Sequence, residues 1–495
     1  MRGNVDFGGG VAETIVNPVV LLVVLLAGIL ILMSSRSRAI TALLAIGILI
    51  PMDQVVVVAG LHFPMLRVLA LFGFARLFRA KFLQQRKIFS GGVNAIDVAL
   101  TVLAVVTAVN GILLWQVWGE VVFQLGRLYT TFGIYFLLRS LIRDEEDVKQ
   151  AIRVLAFVTI VVAGFMVHER FTGLNPFYAI LGGAQAKVFG TAMERGEAYR
   201  ATGCFGHPLL AGTFGGFMVP LFVAWWWKVP KERTFAVLAV AAAIIIPFTT
   251  GSSTALFALL GGIAALLLWP LRRRMRIIRW GIVIGLVSLH MAMKAPVWHL
   301  ISRMSLSQGS SSDHRYELVN QCILHFSNWA LVGTKDYASW GWMMWDLCNQ
   351  YVATADTAGL IPLIALVAIL VYGFKYVGRA RRYYEGDRRQ ERFIWAISAT
   401  LFANVVAFMG VSYFDQTIVP WYAVLAIIST VTLAARNRQR RVEPVAIEEL
   451  PLVFRQNSMA PLAQGRTLLV DGIGQRQTAG KHSSRKVYRG EKQNI

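Results

Sequence analysis

Charge is scarce in this chain, and negative charge is scarcest. Only 15% of the 495 residues are Asp, Glu, Lys or Arg, 27 of them acidic, against about 25% charged in soluble domains. An ordinary soluble globular protein is thereby excluded. Cysteine is almost absent: Cys204, Cys322 and Cys348 are the full set, with no CxxC pair and no His-rich spacing to suggest a metal site. In an oxidising compartment the odd count leaves at least one thiol free, and Cys322–Cys348 is the pairing open to the rest. No internal repeat is found. The first apolar run lacks the basic leader and small-residue cleavage site of a signal peptide and is read as retained.

What fills the chain is apolar sequence, 56% of it. An apolar run of about 20 residues crosses a bilayer. Thirteen candidates lie near 14–34, 39–59, 61–76, 95–115, 120–140, 148–168, 208–227, 234–249, 253–270, 280–298, 353–374, 393–412 and 418–435. The reading is an all-α polytopic membrane protein with about 12–14 transmembrane helices. Every second loop is basic, beginning with Arg36 and Arg38. By the positive-inside rule this puts the N-terminus outside and the C-terminus in the cytoplasm. The net charge of +22 therefore belongs to membrane topology: it argues for anionic lipid headgroups as partners and gives no argument for nucleic acid. Residues 1–440 form the transmembrane domain, and 441–495, polar and basic, read as a disordered cytoplasmic tail.

Two outer segments, 169–207 and 299–352, are too long for simple turns, and such loops are usually functional or disordered. In the second, Leu318, Cys322, Phe326 and Trp329 recur near helical spacing and predict an amphipathic helix on the membrane face. Trp329, Trp340, Trp342 and Trp345 fit an aromatic belt. Two arginines fall inside predicted spans, Arg67 in "HFPMLRVLALF" and Arg127 in "EVVFQLGRLYTTF". A lone arginine in hydrocarbon costs at least about 2.5 kcal/mol, so each must face protein or a wet cavity. Glu120, Gln124, Arg127 and Thr131 make one polar stripe on a helix. The stripe is either an internal pairing of Glu120 with Gln124 and Arg127, or arginine snorkelling to the outer interface, or the wall of an outward-opening, positively charged cavity. Arginine's planar fork suits a phosphate.

The stretch "RATGCFGHPLLAGTFGG", Arg200 to Gly216, interrupts the apolar pattern with glycines and a proline, and irregular backbone at membrane depth needs protein or water beside it. Successive amides there can hold an anion. This stretch, with "RYELVNQCILHFSNWALVGTKDYASWGW" from Arg315 and "DLCNQYVATADTAGLIPLI" from Asp346, resembles the O-antigen ligase and polymerase family of bacterial envelope glycan enzymes. The resemblance covers roughly residues 20–435 and rests on the order of loose motifs on one topology.

It implies a GT-C-like, metal-independent glycosyltransferase without cofactors. Such an enzyme transfers a glycan from undecaprenyl pyrophosphate to an acceptor glycan or lipid at the periplasmic face of the inner membrane. Other polysaccharide-assembly proteins are further partners. On matching positions Arg200 and Arg315 become pyrophosphate ligands, Arg67 and Arg127 supporting charges, and Asn349 and Tyr351 the retained Asn–x–Tyr unit. Two departures stand out: Cys348 occupies the place of the family's usual histidine base, and Ser253 that of a common arginine. Candidate bases then rank Asp346, His314, His207. The rivals are a lipid-linked glycan transporter or flippase, against which the lack of repeated halves counts, and a non-catalytic assembly scaffold.

Overall fold

The computed structural model describes residues 14–51, 53–85, 87–182, 193–195, 198–303 and 312–448, without side chains for 193–195 and 439–448. It divides into two units, Met1–Arg441 and Val442–Ile495. Residues 441–448 of the tail expected to be disordered are helical, and the rest of it, from 449 on, lies outside the described residues.

Each of the thirteen apolar runs contains a helix, although not every run is helical throughout. The first three lie on α1 (Pro18–Met33), α2 (Arg36–Leu49) and α3 (Met65–Phe78), the next three on α4 (Ala95–Trp115), α5 (Trp118–Leu141) and α6 (Glu145–Thr172). After a short α7 (Pro176–Leu181) come α8 (Pro208–Lys228), α9 (Arg233–Thr250), α10 (Ser253–Leu267) and α11 (Met275–Ala292). The second loop segment holds α12 (Ser312–Leu324), α13 (Phe326–Trp329) and α14 (Gln350–Ala358), followed by α15 (Leu360–Tyr383), α16 (Arg388–Ala407) and α17 (Ile418–Glu448). Among the described residues eight helices are long and apolar enough to cross a membrane, and α1 and α10 are shorter apolar helices. The chain is a helical, polytopic membrane protein.

Three boundaries differ from the hydropathy reading, each for a local reason. The second run does not stay helical to residue 59: α2 ends before Pro51, and four β-branched valines form β1 (Val55–Val58), paired antiparallel with β2 (Leu61–Pro64). The hairpin turns at Ala59 and Gly60, both at positive φ, as tight hairpin turns require. Consequently α3 starts only at Met65, and Arg67 sits in its first turn. The run at 353–374 breaks at Gly359, whose φ of 90° and ψ of −176° only glycine adopts readily; a β-carbon there would lie 2.6 Å from the Leu331 carbonyl oxygen. Asp356 therefore precedes the span in α14.

At the centre lies α8, packed against α9, α10 and α16. Gly212, Gly215 and Gly216 permit this approach: a β-carbon on Gly215 or Gly216 would fall 2.7–2.8 Å from Ile246 or the Ala255 carbonyl, the small-residue packing usual between membrane helices. The basic turns meet at one end of the bundle through Arg36–Asp144 (2.6 Å), Lys228–Glu145 (2.6 Å), Arg153–Glu232 (2.5 Å) and Arg272–Glu391 (3.5 Å). A second, smaller core of Leu318, Cys322, Trp329, Met344, Cys348, Val352 and Ala355 holds the loop segment together. Phe326, expected on that face, is 49% exposed because α12 ends at Leu324 and α13 starts a new turn direction. Trp342 and Trp345 are exposed, whereas Trp329 is buried and donates to the Cys322 carbonyl at 2.7 Å.

Candidate active site

The polar stripe of α5 lines a cavity of about 560 Å³ that Arg67, Gln124, Arg127, Thr130, Thr131 and Gln350 share. Gly126 makes the approach of α3 possible, since a β-carbon there would sit 2.5 Å from an Arg67 guanidinium nitrogen. Arg67 donates from Nε to Thr130 Oγ1 (3.3 Å) and from Nη1 to the His62 carbonyl (2.7 Å), both neutral acceptors. Arg127 is exposed to the cavity and lies 5.8 Å from the Phe123 ring centre. Of the internal pairing of Glu120 with Gln124 and Arg127 weighed from the sequence, the Gln124 contact is formed and the Arg127 ion pair, among the described residues, is not: Glu120 is buried and accepts from Gln124 Nε2 at 2.6 Å. Among the described residues neither Arg67 nor Arg127 has a carboxylate within ion-pair distance. Asp415 is the one carboxylate in the cavity lining. An excess of fixed cationic charge at membrane depth favours an anion.

The glycine-rich stretch does hold an anion in its amides, and it is the protein's own. Glu169, near the end of α6, accepts from the backbone N–H of Thr202 (3.0 Å) and Gly203 (2.8 Å), from Thr202 Oγ1 (3.1 Å) and from Asn175 Nδ2 (3.1 Å). Arg200 is buried at the end of β4 (Ala198–Arg200), which pairs antiparallel with β3 (Met193–Arg195), and its Nε donates to the Thr250 carbonyl at 3.0 Å. His207 caps α8, its Nδ1 accepting from Leu209 N–H at 3.1 Å. That bond uses the lone pair a general base would need, which lowers His207 among the candidate bases.

The other two candidate bases converge. His314 and Arg315 lie in the first turn of α12, 9% and 8% exposed, against the turn 346–348 that precedes α14. His314 Nε2 is 3.0 Å from the Asp346 carbonyl oxygen. A carbonyl only accepts, so Nε2 carries the proton and Nδ1 the lone pair; Nδ1 is buried without a hydrogen-bond partner. Donor atoms of His314, Asp346 and Cys348 all lie within 4.8 Å of one another. Burial pushes the Cys348 thiol up to about 11, with Arg315 acting in the opposite direction. Cys348 is therefore a neutral thiol at pH 7 and no substitute for a histidine base. Asn349 caps α14, accepting from Tyr351 and Val352 N–H (3.0 and 3.2 Å), and Tyr351 donates to the Val405 carbonyl (3.2 Å). Both hold the helix whose flank, at Gln350, Thr354 and Thr357, lines the cavity.

The four arginines thus do not share one chamber: Arg67 and Arg127 line the cavity, while Arg200 and Arg315 are absent from its lining. All three cysteines are free thiols, and the Cys322–Cys348 bridge is not formed. The sequence reading missed the role of Glu169, which carries no local signal, and of Gly126, whose only mark is its place beside Arg127. No family model matches the chain, and no curated protein matches it. The family resemblance accordingly stands on its three motifs.

Proposed function

We propose that this chain transfers a glycan from an undecaprenyl-pyrophosphate donor to a sugar acceptor at the outer face of the bacterial inner membrane. It would act as an O-antigen- or exopolysaccharide-type polymerase or ligase of the GT-C class. The observation that carries the reading is the pair Arg67 and Arg127, two guanidinium groups in one cavity without an ion-pair partner among the described residues. Displacing a lipid pyrophosphate needs charge stabilisation on the leaving group, which preorganised cations in a water-poor site provide. It also needs proton removal from the acceptor hydroxyl, worth about 10²–10⁴-fold. That task falls to the cluster of Asp346 and His314 at the N-terminal end of α14, with Arg315 beside it and the cavity along the same helix.

The test is transfer by the purified protein from a synthetic undecaprenyl-pyrophosphate oligosaccharide, followed by gel and mass spectrometry. Lengthening of the glycan on its lipid identifies a polymerase, and its appearance on a second acceptor a ligase. Alanine at both Arg67 and Arg127, the arginines that line the cavity, is expected to abolish transfer while expression stays normal; full activity in that double variant removes them from pyrophosphate binding. Donor that binds without turnover rejects the transferase and leaves a carrier or a scaffold.

A further inference from the structure

We infer that His314, Asp346 and Cys348 form a binding site for a divalent cation of the zinc class, fastening α12 to the turn ahead of α14. His314 lies 32 residues before Asp346, so no local sequence motif marks the three donors. The fold brings an imidazole nitrogen, a carboxylate oxygen and a thiol sulfur within 4.8 Å of one another. That mixed donor set suits zinc above the hard cations, which prefer oxygen alone.

Two further features point to a ligand. His314 Nδ1 is buried and has no hydrogen-bond partner, although its ring is oriented by the bond from Nε2–H to the Asp346 carbonyl. Metal-bound histidines are typically oriented in this way, the second nitrogen donating to a carbonyl or carboxylate. Cys348 and His314 are 5% and 9% exposed and Asp346 is half-buried, so the donors are not a chance surface cluster. A tetrahedral zinc with bonds of about 2.0–2.3 Å sets its donors roughly 3.3–3.8 Å apart. From within 4.8 Å of one another, the donors have at most about 1–1.5 Å to close to reach those separations. Arg315 places one positive charge nearby, but a thiolate and a carboxylate together match the dication. Three protein donors leave a fourth position open, the arrangement of catalytic zinc sites.

The experiment uses tag-free, full-length protein in detergent, stripped with a chelator, dialysed and titrated with Co²⁺. The expected result is one equivalent bound, with a sulfur-to-cobalt charge-transfer band that Zn²⁺ displaces. Cys348→Ser loses the band, and His314→Ala weakens binding by at least roughly 100-fold, the upper end for loss of an outer partner. Cys322→Ser and Cys204→Ser keep it. Wild-type protein that takes up no cobalt, or a band that survives Cys348→Ser, overturns the site. Because the readout is binding, it is decided separately from turnover: cobalt binding without glycan transfer keeps the site and drops the transferase, and transfer by a protein that binds no cobalt does the reverse.

Discussion

Arg127 and Arg139 project from the same helix, α5, into opposite surroundings. Arg139 is 2% exposed, donates to the Ser90 and Gly92 carbonyls (3.1 and 3.3 Å), lies 3.5 Å from Asp97 and covers the Phe89 ring. Asp97 is itself fixed by Tyr135 at 2.6 Å and by the capping box of α4. Arg127 has a cavity where Arg139 has a counter-charge. The difference separates an arginine that organises the fold from one that is held ready for something absent from the protein. Asp356 shows a third outcome: 2% exposed and without a cation, it keeps one carboxylate oxygen unbonded. A carboxylate can relieve burial by taking up a proton. Arginine, which stays protonated, needs an anion.

The sharpest way to break this comparison is to remove each arginine. Arg139→Ala leaves Asp97 buried and unpaired, and is expected to cost roughly 3–5 kcal/mol, read as loss of folded, monodisperse protein in detergent. Arg127→Ala is expected to keep the melting temperature and to lower glycan transfer by about 10²–10³-fold, the effect of deleting one preorganised donor to a developing anion. Equal loss of stability in both variants would erase the distinction.

Asp356 tests the proton alternative. Burial raises it to about 7, whereas the unfolded carboxylate titrates near 3.9. Between about pH 4 and 7 the folded state keeps a proton that the unfolded chain releases. Stability therefore falls as pH rises through this window, by up to about 1.4 kcal/mol per unit, and is lowest above pH 7. Thermal melts at pH 5 and 8 should differ in the wild type and converge in Asp356→Asn.

Smaller effects refine the picture. Glu169→Gln removes the anion from the amides of Thr202 and Gly203 and is expected to cost roughly 1–3 kcal/mol, with faster hydrogen exchange confined to that turn. Gly126→Ala drives a methyl against the Arg67 guanidinium and should weaken donor binding about tenfold, one 1.4 kcal/mol step, without moving the melting temperature. An unchanged donor affinity would detach Arg67 from the ligand.

Hydropathy alone located the helices, because membrane burial is written locally along each run. The α5 stripe was equally legible: Glu120, Gln124 and Arg127 share a face by helical geometry, whatever the neighbours. The contact of Glu120 with Gln124 was legible from that same spacing, but that Arg127 would stay out of it was not, since it is Gly111 on α4 that leaves room for the Glu120 and Gln124 side chains. Likewise the break at Gly359 depends on the Leu331 carbonyl, and the meeting of His314 with Asp346 on how α12 folds back. Each is a contact between distant parts of the chain, and no local pattern encodes it.

The Glu169 carboxylate already occupies the amides of Thr202 and Gly203. That leaves the cavity with the guanidinium forks of Arg67 and Arg127, which suit anions able to accept two parallel N–H bonds, phosphates among them. Methylene-bridged bisphosphonates, which keep the charge of a pyrophosphate but resist cleavage, are therefore the natural compounds with which to occupy and arrest it.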